Sequence, residues 1–568
     1  MRKWIKGLGL GAAIGLAGTA LFGSPWGRQF EEAVGLPWLF RLRGTIPPPS
    51  EVVVVGIDER SARQLDLPPR PWDWPRSLHA KVVDNLARRG ASVIVFDMIF
   101  ETPDRSGGDA ALAAAMADAG RVVLFQRLDL ERQRIGGDGE RVGDWMVMER
   151  PVAPIPDLAA AARALAPFPL PKTSADVRQF WAFKATAGQA ATMPAVALQL
   201  YALKEYRRWR EILSLAGARG LDRLPETAEE VAGPAEMRRL ILETRELFRR
   251  DPDLERRVVK LLADDDRFAG SPSRRAVFLA LARLYGGDDA YHLNFYGPPG
   301  TIRTVPYHAV ASGGSEPELS GKCVFIGASE LLDPDQKDTF HTVFTEDGVD
   351  LSGVEIAATA FANLLTGSML RPVPPVIAAA ILISVGIVAG VGVSLLPAVA
   401  AVAFAFGIAG AYLAAAQAWF NLADGWLPLA IPLLGQLPIC LLLGVLGQYL
   451  QARHQRALVS RAIRYYLPDS VAEELTERSL DPAQLSRVVY ATCFASDARG
   501  FTGIAESMPP KALAGFMNEY FDTLAQAVRR HHVDVSEFHA DSLMCAWTAP
   551  QPDAGARSRA CHAALDAI

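Results

Sequence analysis

The sequence predicts an α/β domain built on a parallel sheet, a set of transmembrane helices, and a small α+β domain after them. Three observations carry this. First, two unbroken apolar runs, "EVVVVGIDE" (51–59) and "ASVIVFDMIF" (91–100), flank a helical stretch, "SLHAKVVDNLARRG" (77–90). Strand, helix, strand with continuous apolar strands is the pattern of a parallel layer covered on both faces. Second, no charged residue occurs from Pro372 to Ala423 or, after Asp424, from Gly425 to Ala452. Third, a strand pattern around Phe494, an amphipathic helix after Pro510 and a hairpin pattern, "VSEFHADSLMCAW" (535–547), follow in that order.

At 568 residues the chain is long enough for several domains. Half of it is apolar and its net charge is −5, so neither a nucleic-acid partner nor a basic tail is expected. The five cysteines (Cys323, Cys440, Cys493, Cys545, Cys561) show no CxxC, which argues against a disulfide framework or a zinc site.

The first element, residues 1–23, carries "GLGLGAAIGLAGTALFG" (7–23) behind Arg2, Lys3 and Lys6. It reads as an uncleaved anchor; a cleaved signal peptide is the alternative, but no good small-x-small cleavage site precedes Pro25. Residues 371–452 hold roughly three helices at about 20 residues per crossing, with breaks near "SLLP" (394–397) and "NLADGW" (421–426). Arg2, Lys3 and Lys6 before the first crossing, and Arg453, Arg456, Arg461 and Arg464 after the last, place both ends in the cytoplasm. Residues 24–370 are then expected on the periplasmic or extracellular side of an inner-membrane protein embedded in the lipid bilayer. Gly9, Gly11 and Gly15 read as close-packing positions between helices rather than as a dinucleotide loop.

In the external domain a third strand is expected at "KCVFIGAS" (322–329), and Asp58 and Asp97 sit at comparable strand ends. Such ends hold ligands in open parallel sheets, or cap the following turns, and both readings stay open. Together with "PWDWPRSLHAKVVDNLARRGASVIVFDMIF" (71–100), "YGPPGTIRTVPYHAV" (296–310) and "LSGVEIAATAFANLLTG" (351–367), these segments resemble the CHASE2 extracellular sensory domain of bacterial receptors over most of residues 45–370. The resemblance implies a sensor for an external ligand that it does not identify. "GPPGTIRT" lacks the Gly-Lys-Ser/Thr ending of a phosphate loop and reads as a turn. Residues 200–290 combine helical apolar spacing with dense charge and are expected as an insertion of solvated amphipathic helices.

Residues 453–485 read as a signalling helix or linker interrupted at Pro468. Beyond it, "RVVYATCFASDARGFT" (487–502) delivers Asp497 to a strand end and turns through Gly500. A helix from Pro510 then presents Leu513, Phe516, Met517, Tyr520, Phe521, Leu524 and Val528 as one core-facing stripe. The hairpin turns at Ala540 and Asp541, bringing two carboxylates toward one end of a sheet. Close carboxylates repel unless a cation lies between them. Paired magnesium ions held so can activate a hydroxyl and stabilise a leaving pyrophosphate, and the amides around Gly500, Phe501 and Thr502 could cradle phosphate oxygens. From spacing alone, metal binding and plain strand termination both stay open.

Residues 494–568, from "FASDARGFTGIAESMPP" through "VSEFHADSLMCAW" to the last residue, resemble the first half of the class III adenylate/guanylate cyclase catalytic domain, of ferredoxin-like α+β fold. A partial domain of this class is thus expected over 486–568. The resemblance implies that Asp497, Asp541 and the carbonyl of Ala498 hold two Mg²⁺ or Mn²⁺ ions, which position ATP or GTP for attack by its own 3′-hydroxyl. Glu537 stands where adenylate cyclases carry Lys and many guanylate cyclases Glu. A carboxylate there accepts from guanine N1 and N2, so the nucleotide stays open. Ala540 replaces the usual Gly before the second acid. The family's second half, with its Asn and Arg, is expected from residues beyond 568 or from a partner, because family sites form in a homodimer or with a partner cyclase chain. The alternative expectation is a non-catalytic receptor whose shortened domain serves in dimerisation or regulation. No histidine-kinase phosphoacceptor helix or glycine boxes follow residue 453.

Overall fold

The computed structural model describes residues 2–134, 145–171, 176–265, 271–313, 319–330, 338–345, 349–466 and 488–568. The expected break at Pro468 lies outside the described residues, as does the rest of the linker from there to 485. The chain divides into two compact units, Met1–Leu441 and Leu442–Ile568.

In the first unit, β1 (Val52–Ile57), β2 (Val93–Asp97), β3 (Val122–Phe125), β4 (Ala164–Ala166), β5 (Thr304–Pro306) and β6 (Cys323–Ala328) form one sheet in the order β5-β1-β6-β2-β3-β4. Every neighbouring pair is parallel. The late strand β6 slots between the two early ones, with Val324 beside Val53 and Ile326 beside Phe96. Successive side chains on a strand point to opposite faces, and here both faces are covered. Val53, Val55 and Ile57 pack with Leu86, Leu112 and Met116 on one side. Val52 and Val54 belong to the other core, with Leu198, Ile356 and Phe361. This is why the strands read as continuous apolar runs; each such side chain removed from water contributes about 1.5–3 kcal/mol.

The amphipathic helices expected over residues 200–290 form with exposed charged faces, and their apolar faces join the domain. Helices Tyr206–Leu215, Pro234–Arg250, Leu254–Asp264 and Pro272–Gly286 turn their apolar faces into the same core as β1. Trp209, 1% exposed, stacks on Phe248 at 6.3 Å and on Phe278 at 6.2 Å. Most of their charge lies on the outer face, the buried Arg245 donating to the Leu284 and Tyr285 carbonyls and to Asp289, and the i, i+3/i+4 spacing of the apolar residues supplies a wall of the domain.

Four described helices are long and apolar enough to cross a membrane: Lys3–Gly23, Pro375–Leu395, Ala398–Ala423 and Ile431–Gln455. The first two pack through glycines. A Cβ on Gly15 would come 2.8 Å from the Ile383 Cα, and one on Gly390 would come 2.6 Å from the Gly11 Cα. Gly9, expected on this seam, faces open space, whereas Gly7 abuts the second span. Four-residue spacing keeps Gly7, Gly11 and Gly15 on one helix face, and two residues from Gly7 is nearly the opposite face. Gln436 ties the fourth span in by donating to the Leu382 carbonyl at 3.1 Å.

The fourth-span helix runs on as Leu437–Tyr466. In the second unit, β7 (Tyr490–Ser496), β8 (Val535–His539) and β9 (Ser542–Ala549) pair antiparallel in the order β7-β9-β8. Leu543, Cys545 and Trp547 of β9 pack against Leu524, Val528, Ala556 and Ala560. The stripe expected on helix Pro510–Arg530 is buried only in its second half; Phe516 is 40% exposed, and Phe521 reaches the Phe538 ring edge-on at 4.8 Å. Three strands cover only that second half among the described residues.

Candidate functional site

β7 ends at Ser496, so Asp497 is the first residue past the strand. The register pairs Ser496 with Leu543 and His539 with Ser542, which puts the Ala540–Asp541 turn and the Asp497 loop at the same end of the sheet. The Ser542 hydroxyl donates to Asp497 Oδ1 at 3.1 Å, and the Leu543 N–H donates to Ser496 Oγ at 3.2 Å. Asp497 is exposed and Asp541 half-buried, and no Lys or Arg forms an ion pair with either among the described residues. The described residues hold no group of three or more His, Cys, Asp or Glu able to gather on a metal. Two carboxylates without a cationic partner, open to solvent on one edge, are a donor set that fits a hard cation completing its shell with water and substrate oxygens.

Other members of the expected site are placed differently. The Ala498 carbonyl accepts the Phe501 N–H at 3.1 Å, closing the turn that Gly500 makes at φ +79°. One lone pair of that carbonyl is left for a ligand, while the Phe501 amide is engaged within the turn and is not free for phosphate. Thr502 follows in the short helix Phe501–Ser507. Ala540 sits at φ +50°, the left-handed region that the first position of this two-residue turn requires. Glu537, on the exposed β8, has its Oε1 3.2 Å from His539 Nε2. Sequence reasoning does not single out His539; its only signal is the two-residue spacing that puts it on the same strand face as Glu537.

In the first unit, Asp58 takes the capping role. Its Oδ1 accepts the Ser61 N–H at 2.7 Å at the start of helix Glu59–Gln64. Asp97 is half-buried at the end of β2, and desolvation together with the neighbouring Asp338 charge holds its carboxyl well above the usual range. The "GPPGTIRT" turn wraps an anion belonging to the chain itself. Glu355, 2% exposed, accepts the Gly300 N–H at 3.0 Å on both oxygens and the Ile302 N–H at 3.3 Å. Burial pushes its carboxyl up to about 7 against the lowering effect of those amides. His79, within the 71–100 block but not singled out there as a site residue, is fully buried with Nδ1 2.6 Å from the Tyr307 hydroxyl, and burial holds it down to about 3.

The family model described as the CHASE2 domain matches residues 12–392, that is 381 of 568 residues. This chain belongs to the CHASE2 family. The CHASE2 match begins inside the first span, covers the parallel sheet and its helices, and ends inside the second span. Four apolar helices of membrane-spanning length together with a CHASE2 domain, a sensor module, mark the chain as a membrane protein. Among curated proteins, "Adenylate cyclase 1" of Rhizobium meliloti (strain 1021) is 34% identical over 74 residues, 13% of the CHASE2 chain. The match spans only 11% of that relative's own length. No solved structure matches the chain. In the CHASE2 protein, then, the structure brings Asp497, Ala498 and Asp541 to one sheet end, leaves Glu537 along the open strand with His539, and turns Asp58 into a helix cap.

Proposed function

We propose that this CHASE2 protein is a transmembrane receptor whose sensor controls a nucleotide cyclase output, converting ATP or GTP into a 3′,5′-cyclic nucleotide and pyrophosphate. The observation that carries this reading is the shared sheet end of Asp497 and Asp541, one past a strand and the other on a tight hairpin turn. The 74-residue likeness to an adenylate cyclase agrees with it. The basic flanks Arg2, Lys3, Lys6 and Arg453 favour a cytoplasmic side for the second unit, where nucleoside triphosphates are found.

In this reading Asp497, Asp541 and the Ala498 carbonyl would hold two Mg²⁺ or Mn²⁺ ions. When bound, such ions lower the pKa of the ribose hydroxyl and neutralise the departing pyrophosphate. The reaction joins the 3′-oxygen to the α-phosphorus, its hydroxyl proton passing to solvent, and breaks the α-phosphorus bond to the bridging oxygen, which leaves with the pyrophosphate. Ser542 orients Asp497 through the 3.1 Å hydrogen bond to one oxygen, leaving the other free. Glu537 would accept from guanine N1–H and N2–H, with His539 holding its carboxylate in place. Residues beyond 568, or a partner cyclase chain, would supply the groups that orient the ribose.

The test is cyclic-nucleotide production by membranes containing the chain, alone and with a partner cyclase chain, given ATP or GTP with Mg²⁺ or Mn²⁺. Product is expected, and Asp497→Ala is expected to abolish it while membrane insertion is unchanged. Turnover that survives Asp497→Ala, or no product from well-inserted protein under either arrangement, overturns the reading.

A further inference from the structure

One buried carboxylate takes no part in the site above. Glu31 is fully buried, and its oxygens accept three successive backbone N–H groups at the start of the fourth span: Leu429 at 2.7 Å, Ala430 at 2.9 Å and Ile431 at 2.6 Å. The first N–H groups of any helix lack partners within it, and in apolar surroundings each unsatisfied one costs several kcal/mol. Glu31 thus fixes where the fourth-span helix begins. It comes from another part of the chain, the linker helix after the first span.

That linker helix is continuous from Pro25 to Arg43, with a π-helical turn at Glu31–Gly35. A second π-helical turn, Ile431–Gln436, opens the fourth span. The two wide turns meet at the carboxylate: a Cβ on Gly35 would lie 2.6 Å from Glu31 Oε2 and 3.3 Å from the Ala430 nitrogen. Wide turns of this kind recur inside α-helices at functional sites.

The far end of the linker helix is held by the sensor. Arg43 donates to Asn294 Oδ1 at 2.7 Å and to the Phe295 carbonyl, and its guanidinium lies 4.9 Å over the Phe40 and Phe420 rings. Asn294, 1% exposed, also donates to Asp424 Oδ1 at 3.0 Å and to the Ser368 carbonyl at 2.8 Å, and pairs with Asn363. From Arg43 to Glu31 is twelve residues of helix, about 18 Å at 1.5 Å per residue.

We propose that the linker helix Pro25–Arg43 is a lever between the sensor and the fourth span, gripped on the sensor side by Asn294 and engaging the span's first turn through Glu31. The fourth span is the one whose helix continues past the membrane segment to Tyr466. A change at the sensor that shifts Asn294 pulls Arg43, moves the helix as a body and slides or frees the carboxylate under Leu429–Ile431. The third-to-fourth span loop is drawn along through Asp424. The device is independent of what chemistry the second unit performs.

The test is hydrogen–deuterium exchange of the full chain in lipid nanodiscs, read at the amides of Leu429, Ala430 and Ile431. Glu31→Gln, nearly the same shape but without the charge, is expected to speed exchange there by about tenfold or more. Asn294→Ala, and separately Arg43→Lys, which keeps the charge but loses the planar fork, are expected to speed exchange at the same three amides by at least about threefold. The amides of β1 and β6 should stay protected in all variants, showing an intact sensor sheet. If Glu31→Gln leaves the three amides within twofold of the parent, the cap itself is refuted. If Glu31→Gln speeds exchange but both Asn294→Ala and Arg43→Lys leave it within twofold, Glu31 is a local cap and the lever is overturned.

Discussion

Both carboxylate oxygens of Glu355 lie 3.0 Å from the nitrogen of Gly300. The loop that resembles a phosphate cradle is filled by a side chain from the helix Gly353–Thr366. Burial raises that carboxyl from 4.5 to about 7, so the folded chain holds its proton more tightly than the unfolded one. The linked stability is fully present below the unfolded value and is lost as pH rises through about 7. At 1.36 kcal/mol per unit this amounts to about 3 kcal/mol. Glu355→Gln is expected to remove this slope between pH 4.5 and 7, as read by the sensor's thermal midpoint across pH; a slope identical to the parent's would refute it.

His79 acts with the opposite sign. Held down to about 3 by burial, it is neutral in the fold, so its contribution is present above its ordinary value of 6.5 and is lost as pH falls toward 3. His79→Phe should make the sensor less sensitive to acid, at the cost of about 1 kcal/mol for the Tyr307 hydrogen bond. The same thermal series measures both effects.

Trp209→Ala is expected to destabilise the sensor by about 3–5 kcal/mol, because it empties a site closed by Phe248 and Phe278. An insertion lying free in solvent would show almost no change in a denaturant midpoint.

Ala540 occupies a left-handed conformation that glycine adopts freely, at φ +50°. Ala540→Gly should stabilise the β8–β9 hairpin by roughly 1 kcal/mol. Slower exchange of the Ser542 and Leu543 amides would register this, and faster exchange would contradict it.

The seam between the first two spans can be probed by cross-linking. A Cβ at Gly7 falls 2.9 Å from the Ser394 Cβ, and also 2.9 Å from the Gly390 carbonyl oxygen and the Val391 Cα, so paired cysteines at these two positions should bridge on oxidation once the helix shifts a few tenths of an ångström off that backbone. Adding Gly11→Ile should abolish the bridge, since nothing larger than glycine fits against Gly386 and Gly390. Gly9→Ile should leave it unchanged.

The four spans were legible because a charge-free run of membrane length is rarely stable outside a bilayer, and β1, β2 and β6 because strands covered on both faces show no alternation. The order of those strands was not legible, since the pairing of Val53 with Val324 is a long-range contact with no local trace. The insertion's burial was hidden by dense charge on the outer face of its helices. Asp541 could be placed at a turn because a two-residue hairpin fixes register locally, whereas the pairing of Ser496 with Leu543 that brings Asp497 to the same end is long-range and was legible only through the order of the family-like blocks. Glu31 gave no signal in "GRQFEEAVG", where two adjacent acids read as surface; its partners are amides of a helix start some four hundred residues away.

The central position of β6 also constrains how the nascent chain matures. β1 and β2 are made early, yet they cannot touch each other; both wait for Cys323–Ala328 to enter between them. Until then each presents an open strand edge, a template for mispairing, and high contact order of this kind slows folding. The second span begins at Pro375, soon after β6, so the sheet closes with the chain already anchored at one end and about to be anchored at the other. Delivery of the last central strand and commitment to the bilayer are therefore nearly simultaneous, and a chain stalled before Cys323 would be left as an unfinished sheet on a membrane tether.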